Sequence, residues 1–204
     1  MHSDPSLTAK AASNAEDEVL RPLNELHRII RGMYHEIQGH QVTILSLEEW
    51  VRTIDPNTYV QLKPWPQTLI NAYDEYKFFV NLINTKKMGY KEFKDTSDKE
   101  ELAGTSDCRF KRLQLALEWG QVALSATEAR LHVLVTYKNA FRDKRSIDGH
   151  IDQANHNLNS ARDAVREAGI NYRRYWANVA QEPPCEKGIP YEDEEEEENK
   201  ATNP

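Results

Sequence analysis

Apolar residues recur at alternating steps of four and three along most of this chain, and that period restricts it to helices packed along their lengths. Val19, Leu23, Leu26, Ile30, Met33, Ile37, His40, Ile44, Leu47, Val51 and Ile54 form a first stripe, with His40 its polar member. Leu69, Tyr73, Tyr76, Val80 and Ile83 form a second, after Pro64-Trp65-Pro66. Phe110, Leu113, Leu117, Gly120, Leu124, Thr127, Leu131 and Leu134 form a third, with Phe141 beyond it. The fourth runs Ile147, Ile151, Ala154, Leu158, Ala161, Val165, Ala168, Tyr172, Tyr175 and Val179, and its alternate sites are mostly alanine, which lets a partner helix approach closely. A sustained seven-residue repeat of this kind keeps one helix face on its neighbours.

The breaks between stripes carry helix-ending chemistry. Asp55-Pro56-Asn57 closes the first, because a residue before proline disfavours helix. Pro66 suits the first turn of the second, where its missing N–H is harmless. Thr105, Ser106 and Asp107 offer N-caps for the third, after the polar stretch Lys94–Gly104. Phe141 and Ile147 are six apart where the repeat requires seven, and Ser146, Asp148 and Gly149 lie in the slip. A tight turn and an antiparallel hairpin account for this better than one helix from about 107 to 180, which would span roughly 110 Å. Inside the first stripe, Ser46 and Glu49 have capping-box spacing and Leu45 with Trp50 has staple spacing, which would start a fresh helix at Leu47. The unbroken phase favours a single kinked helix instead. Pro22 would clash with the carbonyl of Glu18, so regular helix is expected from near Arg21.

These features predict an all-α fold: an elongated antiparallel four-helix bundle with coiled-coil-like heptad packing over residues 16–180. Residues 1–15 and 181–204 hold too little apolar surface to offset their ordering entropy. They are expected to form a disordered N-terminal arm and a disordered acidic C-terminal tail. Trp50, Trp119, Trp176 and Tyr137 lie outside the strict stripes and would suit a homodimer through a helix face.

Charge sharpens the picture. The 33 acids and 26 bases among 204 residues give a net charge of −7, and Glu192, Asp193, Glu194, Glu195, Glu196, Glu197 and Glu198 account for all of it in one run. The rest is neutral but polarised: residues 1–60 hold nine acids and five bases, and residues 107–145 hold four acids and eight bases. Opposite segments favour lying side by side. Apolar stretches such as Phe78-Phe79-Val80 and Val133-Leu134-Val135 are short, where a membrane span needs roughly 20 residues. Met1-His2-Ser3-Asp4-Pro5 lacks a basic-then-apolar leader. Two cysteines, Cys108 and Cys185, are too few for a disulfide framework or a self-contained zinc site. A cytoplasmic or nuclear protein is expected.

Catalytic signals are weak. Glu36 with His40, Glu128 with His132 and Asp152 with His156 are spaced i,i+4, where di-iron bundles use i,i+3. His35 and His40 are i,i+5 and point about 140° apart on a helix, so they cannot share a ligand face. His40 reads better as a core histidine fixing register. Cys108 at a helix start, beside Arg109, Lys111 and Arg112, could be mildly activated, although an ordinary thiol is the simpler reading. No glycine-rich phosphate loop or Gly-x-Ser-x-Gly occurs. No catalytic residue, metal or cofactor is therefore assigned, and a metal-dependent bundle enzyme ranks last.

The expected function is a non-catalytic interaction or scaffold protein working through helix faces and the acidic run. Its candidate interaction residues are Glu192–Glu198 and two basic patches, Arg109, Lys111 and Arg112 in one, Lys138, Arg142, Lys144 and Arg145 in the other. The patches fall at opposite ends of the third helix. Expected partners are proteins, basic ones for the acidic run, which could also meet the chain's own third helix. Tyr172-Arg173-Arg174-Tyr175-Trp176 interleaves bases with aromatics, which suits nucleic-acid stacking, although its tyrosines sit on the core stripe. A nucleic-acid- or chromatin-associated accessory role is the second reading. Tyr191 and Ser97, the latter three residues before Glu100, sit in weak phosphorylation contexts.

Overall fold

The computed structural model describes residues 14–57, 64–99, 106–141 and 145–179. Among them every regular element is helical and none is a strand. Residues 14–20 are α-helical and lead through a 3₁₀ turn, Arg21–Leu23, into α1 (Asn24–Gln38). Then come α2 (Leu47–Ile54), α3 (Gln67–Lys99), α4 (Ser106–Ala140) and α5 (Asp148–Val179). The acidic tail and most of the N-terminal arm lie outside the described residues. Asn14 and Ala15, assigned to the arm, are helical, and Ala15 packs against buried Val19, Leu113 and Tyr175.

Helix precedes Pro22 rather than starting beside it. The tighter 3₁₀ winding accommodates the ring, and the Asn24 N–H donates to the Arg21 carbonyl, an i→i+3 bond. The single long first helix is also corrected. Gly39 adopts φ 57° and ψ −123°, a conformation side-chain-bearing residues avoid, and it ends α1. The chain then folds back, with the Leu45 N–H donating to the Ile37 carbonyl at 2.6 Å. Ser46 starts α2 with a full capping box: its hydroxyl accepts from the Glu49 N–H at 3.3 Å, and its own N–H donates to Glu49 Oε2 at 2.8 Å. The heptad phase survives because both helices bury their apolar faces on the same core, not because the helix continues. His40, expected in that core, is exposed in the intervening turn.

α3, α4 and α5 alternate in direction. Glu75 meets His132 and Lys86 meets Glu118, so α3 and α4 run antiparallel. Glu128 meets Arg162 and Lys138 meets Asp148, so α4 and α5 do too. The chain therefore reverses between Ala140 and Asp148, where the phase slips. α3 continues through Lys99, overrunning the polar stretch read as a connection, and buries Ser97, whose hydroxyl donates to the Phe93 carbonyl.

The interior is organised on α4. Its leucine stripe is only partly the buried face: Leu117, Leu124 and Leu131 are half-buried, while Ala116, Trp119, Ala123, Ala126, Val133 and Tyr137 are buried. A helix with neighbours on several sides buries more than one stripe, and small residues let those neighbours close in. At Gly120 an added Cβ would lie 3.0 Å from Leu23 and 3.7 Å from Val165, so residues from two other elements converge on that point. Trp50, Trp119 and Tyr137 are thereby core residues and offer no dimer face; only Trp176 of that set is exposed. On α5 the expected alanine stripe is the buried one, through Ala154, Leu158, Ala161 and Ala168.

Three buried polar links fasten α1, α2 and their connections to this frame. Arg130 of α4 pairs with Glu36 of α1 at 2.7 Å, and Trp50 Nε1 of α2 donates to the other Glu36 oxygen at 2.9 Å. The Tyr73 hydroxyl donates to the Leu45 carbonyl at 2.6 Å. Asp55 accepts from Tyr137 at 2.7 Å and from Ser146 at 3.1 Å.

Gly39→Ala should cost about 1–3 kcal/mol through backbone strain, since Leu45 lies at ordinary contact distance from the added methyl. Ser46→Ala should cost about 1 kcal/mol through the lost cap. Denaturant unfolding checks both, and a Gly39→Ala chain as stable as its parent would contradict the turn described. Glu36→Ala strands the Arg130 guanidinium and should cost about 3–5 kcal/mol, part of which Arg130→Met in the same chain recovers. A loss below about 1 kcal/mol for Glu36→Ala would show that the pair is not a buried constraint.

Candidate interaction surface

Two sequence motifs that combine bases with aromatics lie far apart in the chain, one in the first turns of α4 and one in the last turns of α5. Antiparallel pairing puts them at the same pole of the molecule. Phe110 sits among three rings, with centroids 6.2 Å from Tyr172, 5.1 Å from Tyr175 and 4.2 Å from Trp176. Tyr175, Val19 and Leu113 are buried beneath it as a small satellite core. Burial also raises the pKa of Tyr172 above its ordinary value. Trp176 is the outer member, 53% exposed.

The cations of this pole divide into held and open ones. Arg112 is paired with Glu16, both side chains 11% exposed, which ties α4 to the helical lead-in. Arg109 is buried. Lys111 is half-buried, and Arg173 and Arg174 are exposed; no ion pair to these three occurs among the described residues. The Asn171 side chain donates to the Glu18 carbonyl at 2.9 Å, bringing Asp17 and Glu18 to the same end. The far part of α3 arrives there too, since the Tyr90 hydroxyl, its pKa raised by burial, also feels Arg112 and Glu16. Beyond it the exposed Lys91, Lys94 and Lys99 alternate with the equally exposed Glu92, Asp95 and Asp98, so this end of α3 is neutral.

Lys138 lies at the opposite end of α4, paired with Asp148. Arg145 opens the 3₁₀ turn Arg145–Ile147, while Arg142 and Lys144 lie outside the described residues, as do Glu192–Glu198. The Glu/His pairs weighed for metals are dispersed: Glu36 is committed to Arg130, Glu128 meets Arg162, and His132 Nδ1 lies 3.5 Å from Glu75. Among the described residues no group of three or more His, Cys, Asp and Glu could hold a metal. No described helix is long and apolar enough to cross a membrane. Cys108 is buried, 2% exposed, inside the first turns of α4.

The buried polar links were not read as units from sequence. Arg130 and Glu36 are 94 residues apart, and the partners of Asp55 are 82 and 91 residues away. Burial opposes the charge of Arg130, and the Glu36 carboxylate outweighs it, so the guanidinium pKa is raised. Among the described residues Nη1 of Arg130 and the fully buried Tyr76 hydroxyl make no regular hydrogen bond, and burial raises the pKa of that hydroxyl. A second surface also escaped the periodicity. Phe78, 59% exposed, lines an open groove of about 530 Å³ with Ile44, Leu45, Ser46, Glu49 and Lys77.

Comparison with protein-family models, curated proteins and solved structures finds no match.

Phe110→Ala should cost about 2 kcal/mol by emptying the contact among three rings, whereas Trp176→Ala, at the rim, should cost under about 1 kcal/mol. Thermal unfolding of the two variants checks the order, and the reverse order would mean that Trp176 rather than Phe110 seals the pole.

Proposed function

We propose that this chain is a non-catalytic helical interaction protein, a four-helix bundle with heptad-like packing that presents the aromatic–basic pole of α4 and α5 to a partner. The long helices supply the bundle, with α2 and its flanking turns as an addition between the first and second. Regular i,i+3/i+4 burial of Leu69, Tyr73, Tyr76, Val80 and Ile83 along α3 supports the heptad description. The observation that carries the functional reading is Trp176, 53% exposed on the Phe110 ring, with the exposed Arg173 one helical turn before it on α5. An exposed apolar ring with a guanidinium one turn away on the same helix fits an acidic segment carrying an aromatic or aliphatic side chain. The same pairing of stacking face and cation supports the second reading, single-stranded nucleic acid.

The test uses the full chain with Glu192–Glu198 changed to glutamine and asparagine, so that the acidic run cannot compete. A fluorescently labelled acidic peptide and a labelled single-stranded oligonucleotide are titrated at low and high salt. The peptide should bind at low salt, with affinity falling as salt rises, and Arg173→Ala with Arg174→Ala should weaken it about tenfold. Tighter binding of the oligonucleotide, lost in the same variant, would favour the second reading. Absence of both at low salt would overturn the pole as a binding surface.

A further inference from the structure

The groove beside Phe78 extends along the first half of α3. Ser46, Asp74 and Lys77 line both a stretch of about 530 Å³ that also touches Ile44 and Phe78 and one of about 420 Å³ that also touches Trp65 and Ile70, so the two are neighbours along one groove. On α3 its lining residues Ile70, Asp74, Lys77, Phe78 and Asn81 fall at i, i+4, i+7, i+8 and i+11, a single helix face. At about 1.5 Å per residue that face is roughly 16 Å long, about three turns of a docked helix. Phe78 is 59% exposed on it, although its ring meets Phe79 edge-on with centroids 5.3 Å apart. We propose that this groove is a second interaction site, independent of the α4–α5 pole, and that it takes a basic amphipathic helix from a partner protein.

Charge selects the occupant. The lining residues carry three carboxylates, Glu48, Glu49 and Asp74, and one ammonium, Lys77. Lys77 is already committed, 2.9 Å from Asp74 and 4.9 Å over the Tyr73 ring. Glu48 meets Arg52 at 2.8 Å, outside the lining. Glu49 has no ion pair among the described residues and accepts from the Ser46 N–H and hydroxyl instead. Those bonds hold its carboxyl below its usual value, so it is ionised at neutral pH. Around the groove, exposed Glu75 follows Asp74, and exposed Arg31 lies one turn before Tyr34, whose hydroxyl donates to the Val80 carbonyl. With these included, Glu48, Glu49, Asp74 and Glu75 face Lys77, Arg52 and Arg31, and the surplus is still acidic. A purely apolar ligand would leave Glu49 without a partner as it is desolvated, and a bare cation would leave Phe78 uncovered. A helix carrying both kinds of side chain meets both requirements. Ile70 and Phe78 are roughly 12 Å apart along α3, the separation of side chains seven or eight residues apart on that helix.

The experiment uses the full chain with Glu192–Glu198 changed to glutamine and asparagine, so that the acidic run cannot capture a cationic probe. A display library of helix-forming peptides of about 15 residues is selected on it, and the enriched peptides are titrated by fluorescence anisotropy at low and high salt. Peptides that join Leu, Ile or Phe at i and i+7 to flanking Lys or Arg should be enriched. Phe78→Ala should weaken the best of them about tenfold. Glu49→Gln with Asp74→Asn should weaken it about threefold and flatten its salt dependence, while glutamine keeps the capping box that starts α2. Arg173→Ala with Arg174→Ala should leave the affinity unchanged, so a failure of the pole reading would not touch this site. Enrichment of acidic peptides, no enrichment, or binding insensitive to Phe78→Ala would overturn the proposal. A dimer seen by light scattering and dissolved by Phe78→Ala would overturn it too, by seating a second copy of the chain in the groove.

Discussion

The ion pair between Glu36 and Arg130 couples three helices at one point. Glu36 comes from α1, Arg130 from α4, and the second Glu36 oxygen accepts from Trp50 of α2 at 2.9 Å. Burial of a guanidinium requires a carboxylate in good geometry, and burial of an indole N–H requires an acceptor. One residue meets both requirements. Trp50 in turn stacks on Tyr73, with ring centroids 5.1 Å apart, and Tyr73 holds the Leu45 carbonyl that closes the turn after Gly39. The polar core of one end therefore follows from where Glu36 is held.

The same logic explains why α2 exists as a separate helix. A continuous first helix would carry residues 47–54 onward along the axis of α1. The turn at Gly39 instead folds them back, so that Trp50, Val51 and Ile54 all enter the core. Asp55, at the end of α2, then reaches Tyr137 and Ser146 and pins that end to the turn between α4 and α5. The link is polar at both ends, and placing its carboxylate in the interior requires both donors.

Periodicity made the long helices legible, and it did so best where each helix has one buried face. The alanine stripe of α5 and the aromatic stripe of α3 were readable residue by residue. It failed for α4, because a helix surrounded on several sides has no single stripe, and Trp119 and Tyr137 looked like surplus surface aromatics. It failed at Gly39 because hydrophobic phase records burial, not continuity, while the capping box at Ser46 carried the correct signal locally. The candidate surface was half legible. Both motifs stood out in composition, but the contact between Phe110 and Trp176 depends on the antiparallel pairing of α4 with α5, which no local pattern contains.

The formal charge of −7 acquires a different meaning on this frame. Acids in the first part of the chain are consumed by bases of the central helix, as Glu16 is by Arg112 and Glu36 by Arg130. These buried pairs remove cations from the surface of α4 that composition alone would count as docking sites. The exposed cations at that end belong chiefly to α5, since those of α3 alternate with exposed Glu92, Asp95 and Asp98. A surface field follows from which charges are already paired and buried, so the polarised segments seen in sequence describe the interior as much as the exterior.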